Sequence, residues 1–479
     1  MIFMKKLTTR LLSLVLLGAF IPSFVLAETW DLGKGDITVT ATETSQTVSQ
    51  VNGETKDDPD PVITSSGKTE NTVTINAETN ATANVTLENV NIDTGTRGGA
   101  AITTSGEGNV NIELNGTNTV QSGNTHAGVE KKDNGTLTIT DEDKDGSLTA
   151  TGGNYGAGIG GGYEGSGSNI AIEGGKVKAI GGTHGAGIGG GFGGSGSNIA
   201  IEGGKVEASS VGGGAGIGGG SLGSGSNITI SGGEVTATGA GAGAGIGGGY
   251  EGSGKSITIE GGEVTAQGDA GGAGIGGGIS GTGSDVTISG DAQVKVQGGT
   301  TGRDWHKGAA IGNGGTPTTD GNEVSPNTSD LKVGGFIQIY EPGKNINTDT
   351  PDKTIEGQKG DHSWNAGEVT AETVPESKAA AYWVSDSEGQ SIPYQAQQKD
   401  GVLTVTVQAD TASLRGTTGS LRQLEAQGVA EIRFVTKGAQ SAFTLSDLLT
   451  SGTGSFTLTH DGDKITFTLE NTDISGILK

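Results

Sequence analysis

A chain of 479 residues with 94 glycines, no cysteine, and 54 acidic against 29 basic side chains carries a formal net charge of −25. The missing cysteines exclude a disulfide framework, thiolate metal sites and a cysteine nucleophile, and the acidic balance makes the chain a poor partner for nucleic acid or anionic lipid. So much glycine at low hydrophobicity would ordinarily signal disorder, but the order of the residues says otherwise.

Lys5, Lys6 and Arg10 precede an apolar run that starts at Leu11, is interrupted by Pro22 and ends in Val25-Leu26-Ala27. A basic start, a short apolar stretch and a small residue at its end read as a secretory signal peptide over 1–27. The run is too short and too broken to span a bilayer. The expected location is extracellular, either secreted or held at the cell surface.

From Gly156 the string Gly-Ala-Gly-Ile-Gly-Gly-Gly recurs, with isoleucines at Ile159, Ile188, Ile217, Ile246 and Ile275, a constant period of 29 residues. Between these strings lie two short alternating segments, as in Asn227-Ile228-Thr229-Ile230 and Glu234-Val235-Thr236-Ala237. Alternation at period two with β-branched residues predicts strands, and paired glycines between them predict tight turns. One period is therefore three strands and three turns, one coil of a parallel β-solenoid whose aliphatic residues are buried only when coils stack. The inward ladders are Ile170, Ile199, Ile228, Ile257, Val286 and, two residues on, Ile172, Ile201, Ile230, Ile259, Ile288, with Val177, Val206, Val235, Val264 as a third row. The general rule for parallel crossovers makes the coil right-handed.

Looser coils are expected upstream. Val85/Leu87, Val110/Ile112 and Leu137/Ile139 fall in one strand slot at spacings of 25 and 27 residues, and Ile102 and Val129 match the repeat isoleucine. Downstream, Ile311 returns 36 residues after Ile275, a coil with a seven-residue insertion, and Leu331 to Tyr340 supplies the last coil. The predicted fold class is all-β, a right-handed parallel β-helix with three strands per coil and a 29-residue repeat, followed by a small α+β domain. The boundaries are a β-helix over 28–345 with regular coils at 152–299, a linker or cap over 346–378, and the α+β domain over 379–479. In that last part Leu403, Val405 and Val407 alternate as a strand, Leu414, Leu421 and Leu424 stand at helical spacing, and Asp461-Gly462 marks a hairpin.

Four groups of residues are candidates for chemistry. The residue after each Gly-Gly-Gly is Tyr163, Phe192, Ser221, Tyr250 or Ile279. Three rings on one row would suit stacking against sugar faces, or would simply fill a corner of the stack. Arg303-Asp304-Trp305-His306-Lys307 is a polar cluster on a predicted loop, where Arg303 and Lys307 could pair with uronate carboxylates and Trp305 could stack, with His306 beside them; bracing the solenoid end is the bland alternative. Asp141-x-Asp143-x-Asp145-Gly146 matches the first half of an EF-hand-type calcium loop, but its twelfth position is Gly152 rather than an acid. An Asp-rich turn explains that run without a metal. No catalytic residue is assigned: the five histidines are scattered and no nucleophile with its base is visible.

With its apolar leader, its Gly-Ala-Gly-Ile-Gly-Gly-Gly strings and Asn-Ile-Thr-Ile-Ser-Gly-Gly-Glu-Val-Thr-Ala-Thr-Gly, the chain resembles the glycine-rich parallel β-helix surface proteins of Gram-positive anaerobes in the Firmicutes. More distantly it resembles clostridial carbohydrate-binding β-helix domains of the pectate-lyase-like fold. The resemblance covers roughly 37–340 and implies a surface location and a polysaccharide ligand; it specifies scaffold residues and no ligand residues.

The leading expectation is a secreted or cell-surface, non-catalytic solenoid, adhesive or carbohydrate-binding, whose partner is a polysaccharide or a host or cell-wall glycan. It is expected to have no nucleic-acid partner and no membrane span, with self-association open. No cofactor is expected beyond possible calcium at Asp141, Asp143 and Asp145. Three alternatives stand: a structural wall or matrix protein; a polysaccharide lyase or glycoside hydrolase whose site is assembled from distant coils; and, last, an ice-binding solenoid, whose flat Thr ladder at Thr229, Thr258 and Thr287 gives way to Ala171 and Ala200 in the earlier coils.

Overall fold

A computed structural model describes 27–357 apart from 52, 54, 133, 301–305, 329 and 333, and 382–479 apart from 387–391, 393, 400, 418–420, 422–423, 426–427, 452–454, 463 and 470–471. The signal peptide, apart from Ala27, and most of the expected linker lie outside the described residues, as do Arg303 and Trp305.

Three parallel sheets form the walls of a solenoid. Sheet 1 holds the six-residue strands such as Gly167–Ile172, Gly196–Ile201 and Gly225–Ile230, sheet 2 the five-residue strands such as Lys176–Ile180 and Lys205–Ser209, and sheet 3 the two-residue strands such as Ile159–Gly160 and Ile188–Gly189. The registers reproduce the expected ladders: Ile170 pairs with Ile199 and Ile228 with Ile257, Val177 with Val206, and Ile159 with Ile188. These side chains are 0–1% exposed, so each isoleucine is removed from water at about 1.5–3 kcal/mol, on condition that the next coil is in place.

The looser coils follow the same walls with one correction. Ile112 pairs with Val85 and Leu114 with Leu87, so the spacing there is 27 residues, and Val110 stands on Ala83 rather than on Val85. Strands Thr82–Glu88 and Asn109–Asn115 each carry three inward residues, and the small first one, Ala83, disguised the register. Val129 joins Ile102 to Ile159, and Ile311 pairs with Ile275, as expected. The first coil starts before Ile37, because Thr29–Asp31 already pairs with Val62–Thr64 in sheet 1.

Both ends of the stack turn antiparallel. Gln46–Gln50 and Lys56–Asp57 cover sheet 3 beyond Ile37–Ala41, while Lys353–Glu356 runs antiparallel to Phe336–Tyr340 at the far edge of sheet 2. At the first end the buried Asp58 accepts from Trp30 Nε1 at 2.8 Å and from the Glu28 amide at 3.1 Å.

The C-terminal residues are more strongly β than the α+β expectation. A five-stranded sheet (Tyr382–Ser385, Thr411–Thr417, Ser455–Asp461, Lys464–Leu469, Thr472–Asp473) and a four-stranded one (Tyr394–Lys399, Val402–Val407, Glu431–Val435, Gln440–Thr444) share one core containing Phe434, Phe443, Phe456 and Phe467. Leu414 belongs to a strand, whereas Leu421 and Leu424 are helical, and the one helix described in full is Leu445–Ser451. The hairpin at Gly462 forms as expected, Asp461 facing Lys464. Among the described residues no helix is long and apolar enough to cross a membrane.

Two outcomes test this packing. At Gly218 the backbone has φ +131° and an added Cβ would lie 2.0 Å from the carbonyl oxygen of Gly247, so Gly218→Ala should cost more than about 2 kcal/mol. Thr229→Ala, at a slot where the two preceding coils carry Ala171 and Ala200, should stay within about 0.5 kcal/mol; urea midpoints read both. In the C-terminal core His460 is fully buried, with Nδ1 3.1 Å from Thr436 Oγ1 and Nε2 2.7 Å from Ser441 Oγ. Burial holds its pKa below the ordinary histidine value. The unfolded chain then takes up the proton first, so this contribution is intact above about pH 6.5 and is lost progressively as the pH falls below it. Melting followed by near-ultraviolet circular dichroism from pH 8 to pH 5 should show that fall, and His460→Gln should flatten it.

Candidate functional site

One coil interrupts the regularity, and residue counting locates it. Eleven residues separate Ile159 from Ile170, but only eight separate Val129 from Leu137, although Val129 pairs with Ile159 and Leu137 with Ile170. With three residues fewer, the coil below has no full counterpart of the glycine corner, 161–165, that each regular coil above repeats. Under this first corner lies a cleft of about 660 Å³ whose lining includes His126, Glu130, Lys132, Gly162, Tyr163 and Ser166.

Glu130 makes the shorter path possible. In the regular coils the amides of Ala157, Ala186, Ala215 and Ala244 each donate to the carbonyl oxygen four residues on, all at 2.9 Å. The amide of Ala127 instead donates to Glu130 Oε2 at 3.1 Å, a side chain standing in for the missing corner carbonyl. The same oxygen is 2.6 Å from His126 Nδ1, and Oε1 is 2.7 Å from Lys132 Nζ. Glu130 itself is 3% exposed, so a buried carboxylate is compensated by a histidine, a lysine and an amide, as such burial requires.

The corner row is graded rather than uniform. Tyr163 is 47% exposed, Phe192 and Tyr250 are half-buried, and Ser221 and Ile279 are buried. Phe192 stacks on Tyr163 with ring centroids 5.7 Å apart and planes 14° from parallel, and Tyr155 meets Tyr163 edge-on at 5.5 Å. Tyr155 and His184 form a second stack at 5.2 Å, so these two residues, which lie off the repeated row, complete a four-ring cluster with Tyr163 and Phe192. Stacking places Phe192 on the face of Tyr163 toward the next coil; on the side of the preceding coil no ring continues the row among the described residues. The Tyr163 phenol bonds to the Glu164 carboxylate, which raises its pKa, and Tyr250 repeats the arrangement with Glu251. Ser221 separates Phe192 from Tyr250, so the row is not a continuous aromatic strip.

The other sequence candidates lie elsewhere. Among the cluster at the insertion, His306 Nδ1 is 3.1 Å from Asp320 Oδ1, the Lys307 amide donates to that oxygen at 3.0 Å, and Lys307 Nζ is 3.4 Å from Glu341 Oε2; Arg303 and Trp305 are outside the described residues. In the Asp-rich turn, Asp141 Oδ1 accepts from the amides of Asp145 and Gly146 at 3.2 and 3.1 Å, so this carboxylate closes the turn on the chain's own backbone. No group of three or more metal-ligating side chains is found among the described residues. His126 is oriented by a carboxylate, as a catalytic histidine would be, yet among the described residues no hydroxyl is bonded to its second nitrogen. What the cleft offers is an exposed ring face beside polar donors, an arrangement suited to holding a ligand.

The beta helix repeat family matches residues 144–163, 170–192, 199–221, 228–250 and 257–279, each segment ending on the corner row at Tyr163, Phe192, Ser221, Tyr250 or Ile279. No curated protein and no solved structure matches the chain. The repeats and the parallel ladders together make this a parallel β-helix protein.

Proposed function

We propose that the chain is an exported, non-catalytic β-solenoid that binds carbohydrate and acts as an adhesive or carbohydrate-binding module at a surface. The observation that carries this reading is the free face of Tyr163 above the step cleft. An aromatic ring held rigid by Phe192 and Tyr155 presents an apolar plane beside hydrogen-bonding groups, the combination a sugar ring requires. The cleft volume, about 660 Å³, falls within the usual range for small-ligand sites. The N-terminal signal pattern and the resemblance to β-helix surface proteins support the location.

A structural filament is the second reading. Coil-on-coil polymerisation needs open strand edges, and the antiparallel segments Gln46–Gln50 and Lys353–Glu356 cover sheet edges at opposite ends, which favours the binding role.

A glycan array probed with the purified chain, with and without calcium, tests the proposal. Saturable binding to one polysaccharide class is expected, weakened about tenfold by Tyr163→Ala, as loss of one stacking contact implies, and little changed by Tyr250→Ala. Loss through Trp305→Ala instead would move the site to the insertion loop. Absence of binding in every condition would reject the reading, and sedimentation velocity would then test for assembly.

A further inference from the structure

The corner ladder ends at its first coil with donors that, among the described residues, have no partner of their own kind. In each regular coil an amide of the corner donates to the coil below: Gly191 to Gly165, Gly220 to Gly194, Gly249 to Gly223 and Gly278 to Gly252, at 3.0–3.1 Å. A second series runs through the serines, with the amides of Ser195, Ser224 and Ser253 donating to Ser166, Ser195 and Ser224 Oγ. Gly162 and Ser166 hold the same positions in the first corner, and no corner lies below them. Among the described residues neither amide has an acceptor. Both residues line the cleft, and Gly162 is buried, where a donor without a partner is unfavourable.

The acceptors around the cleft are, by contrast, already engaged. Both Glu130 oxygens are taken, the Thr125 carbonyl accepts from the Tyr163 amide at 2.7 Å, and the Gly162 carbonyl accepts from the Gly165 amide at 2.8 Å. Lys132 reaches the same space with one carboxylate contact, leaving ammonium protons to donate. At the corner itself the cleft therefore offers unpaired donors and a ring face, while the Thr125 and Gly162 carbonyls and the Glu130 carboxylate there are engaged.

Resting on the carbohydrate reading above, we infer that the step cleft binds an acidic sugar residue, its ring against Tyr163 and its carboxylate toward the Gly162 and Ser166 amides and Lys132. A carboxylate supplies the acceptors that the absent corner would have supplied, and charge-assisted bonds of this kind are the strong ones. An amino sugar would bring further donors to a site that has no use for them. The overall charge of −25 opposes polyanions at long range, but at 0.15 M ionic strength the Debye length is about 8 Å, and the local donors decide.

The test is titration calorimetry of the full chain at that ionic strength. The probes are oligogalacturonates and glucuronate-containing oligosaccharides, compared with neutral cello-oligosaccharides and cationic chitosan oligosaccharides. Acidic probes should bind at least about tenfold more tightly than neutral ones. Ser166→Glu, a change at an exposed position, and Lys132→Gln should each weaken acidic probes about tenfold, with circular dichroism unchanged for the first. Neutral or cationic probes binding as well as acidic ones would overturn the inference and leave the carbohydrate reading standing. Acid-selective binding indifferent to Ser166→Glu would place the site elsewhere and overturn it too. Failure of every glycan to bind would remove both.

Discussion

Adjacent coils are held by amide-to-carbonyl bonds that fix their separation at about 4.8 Å, and that separation dictates what the corners can contain. At Gly223 an added Cβ would sit 1.8 Å from the carbonyl oxygen of Gly194, and at Gly252 it would sit 1.8 Å from that of Gly223. Nothing larger than hydrogen fits where one carbonyl lies directly over the next. The glycine content is thus the mark of close backbone approach, the opposite of the flexible chain that the composition alone suggests. Asparagine finds a related use: Asn169, Asn198 and Asn227 stand in the left-handed region at φ 52–56° and pass side-chain amide bonds from coil to coil at 2.9 and 3.2 Å.

Where the same constraint repeats, sequence is a sufficient guide. Ile159 to Ile275 and the paired rows of sheet 1 were legible because period and side-chain type recur together, and each row lies where the spacing placed it. Legibility failed where recurrence did. Val85 and Val110 look alike, yet the partner of Val110 is Ala83, a residue too small to announce an inward position. Leu414, Leu421 and Leu424 fit a helical period, but Leu414 is claimed by a strand paired to Leu458, a tertiary contact that overrides local spacing. The four-ring cluster was half visible: Tyr163 and Phe192 share a row, whereas Tyr155 and His184 reach them from another part of the coil.

The candidate site belongs to the interruption and not to the repeat. Its signal was present as a count, eight residues where the coils above have eleven between Ile159 and Ile170 and their equivalents, but a count says nothing of Glu130, whose partners are fixed only once the chain takes the shorter path. A carboxylate in the slot where later coils carry Gly160 or Gly189 reads as an irregularity in sequence; in three dimensions it replaces a backbone carbonyl. Regular coils exhaust their polar groups on one another. At the step beneath Tyr163 the ladder instead ends, among the described residues, with the Gly162 and Ser166 amides unpaired, and this is where the proposed binding is placed.

The antiparallel strands at the two ends bear on how such a protein changes length. Coils between 167 and 288 contact their neighbours through equivalent registers, so gaining or losing one 29-residue unit there, the period seen from Ile188 to Ile217, leaves both terminal structures and the step beneath Tyr163 untouched. Duplication within the gene would therefore lengthen the rod by about 4.8 Å per event without requiring any compensating substitution at its ends. Reach becomes a quantity that evolution can adjust in whole steps, independently of the cleft beneath Tyr163.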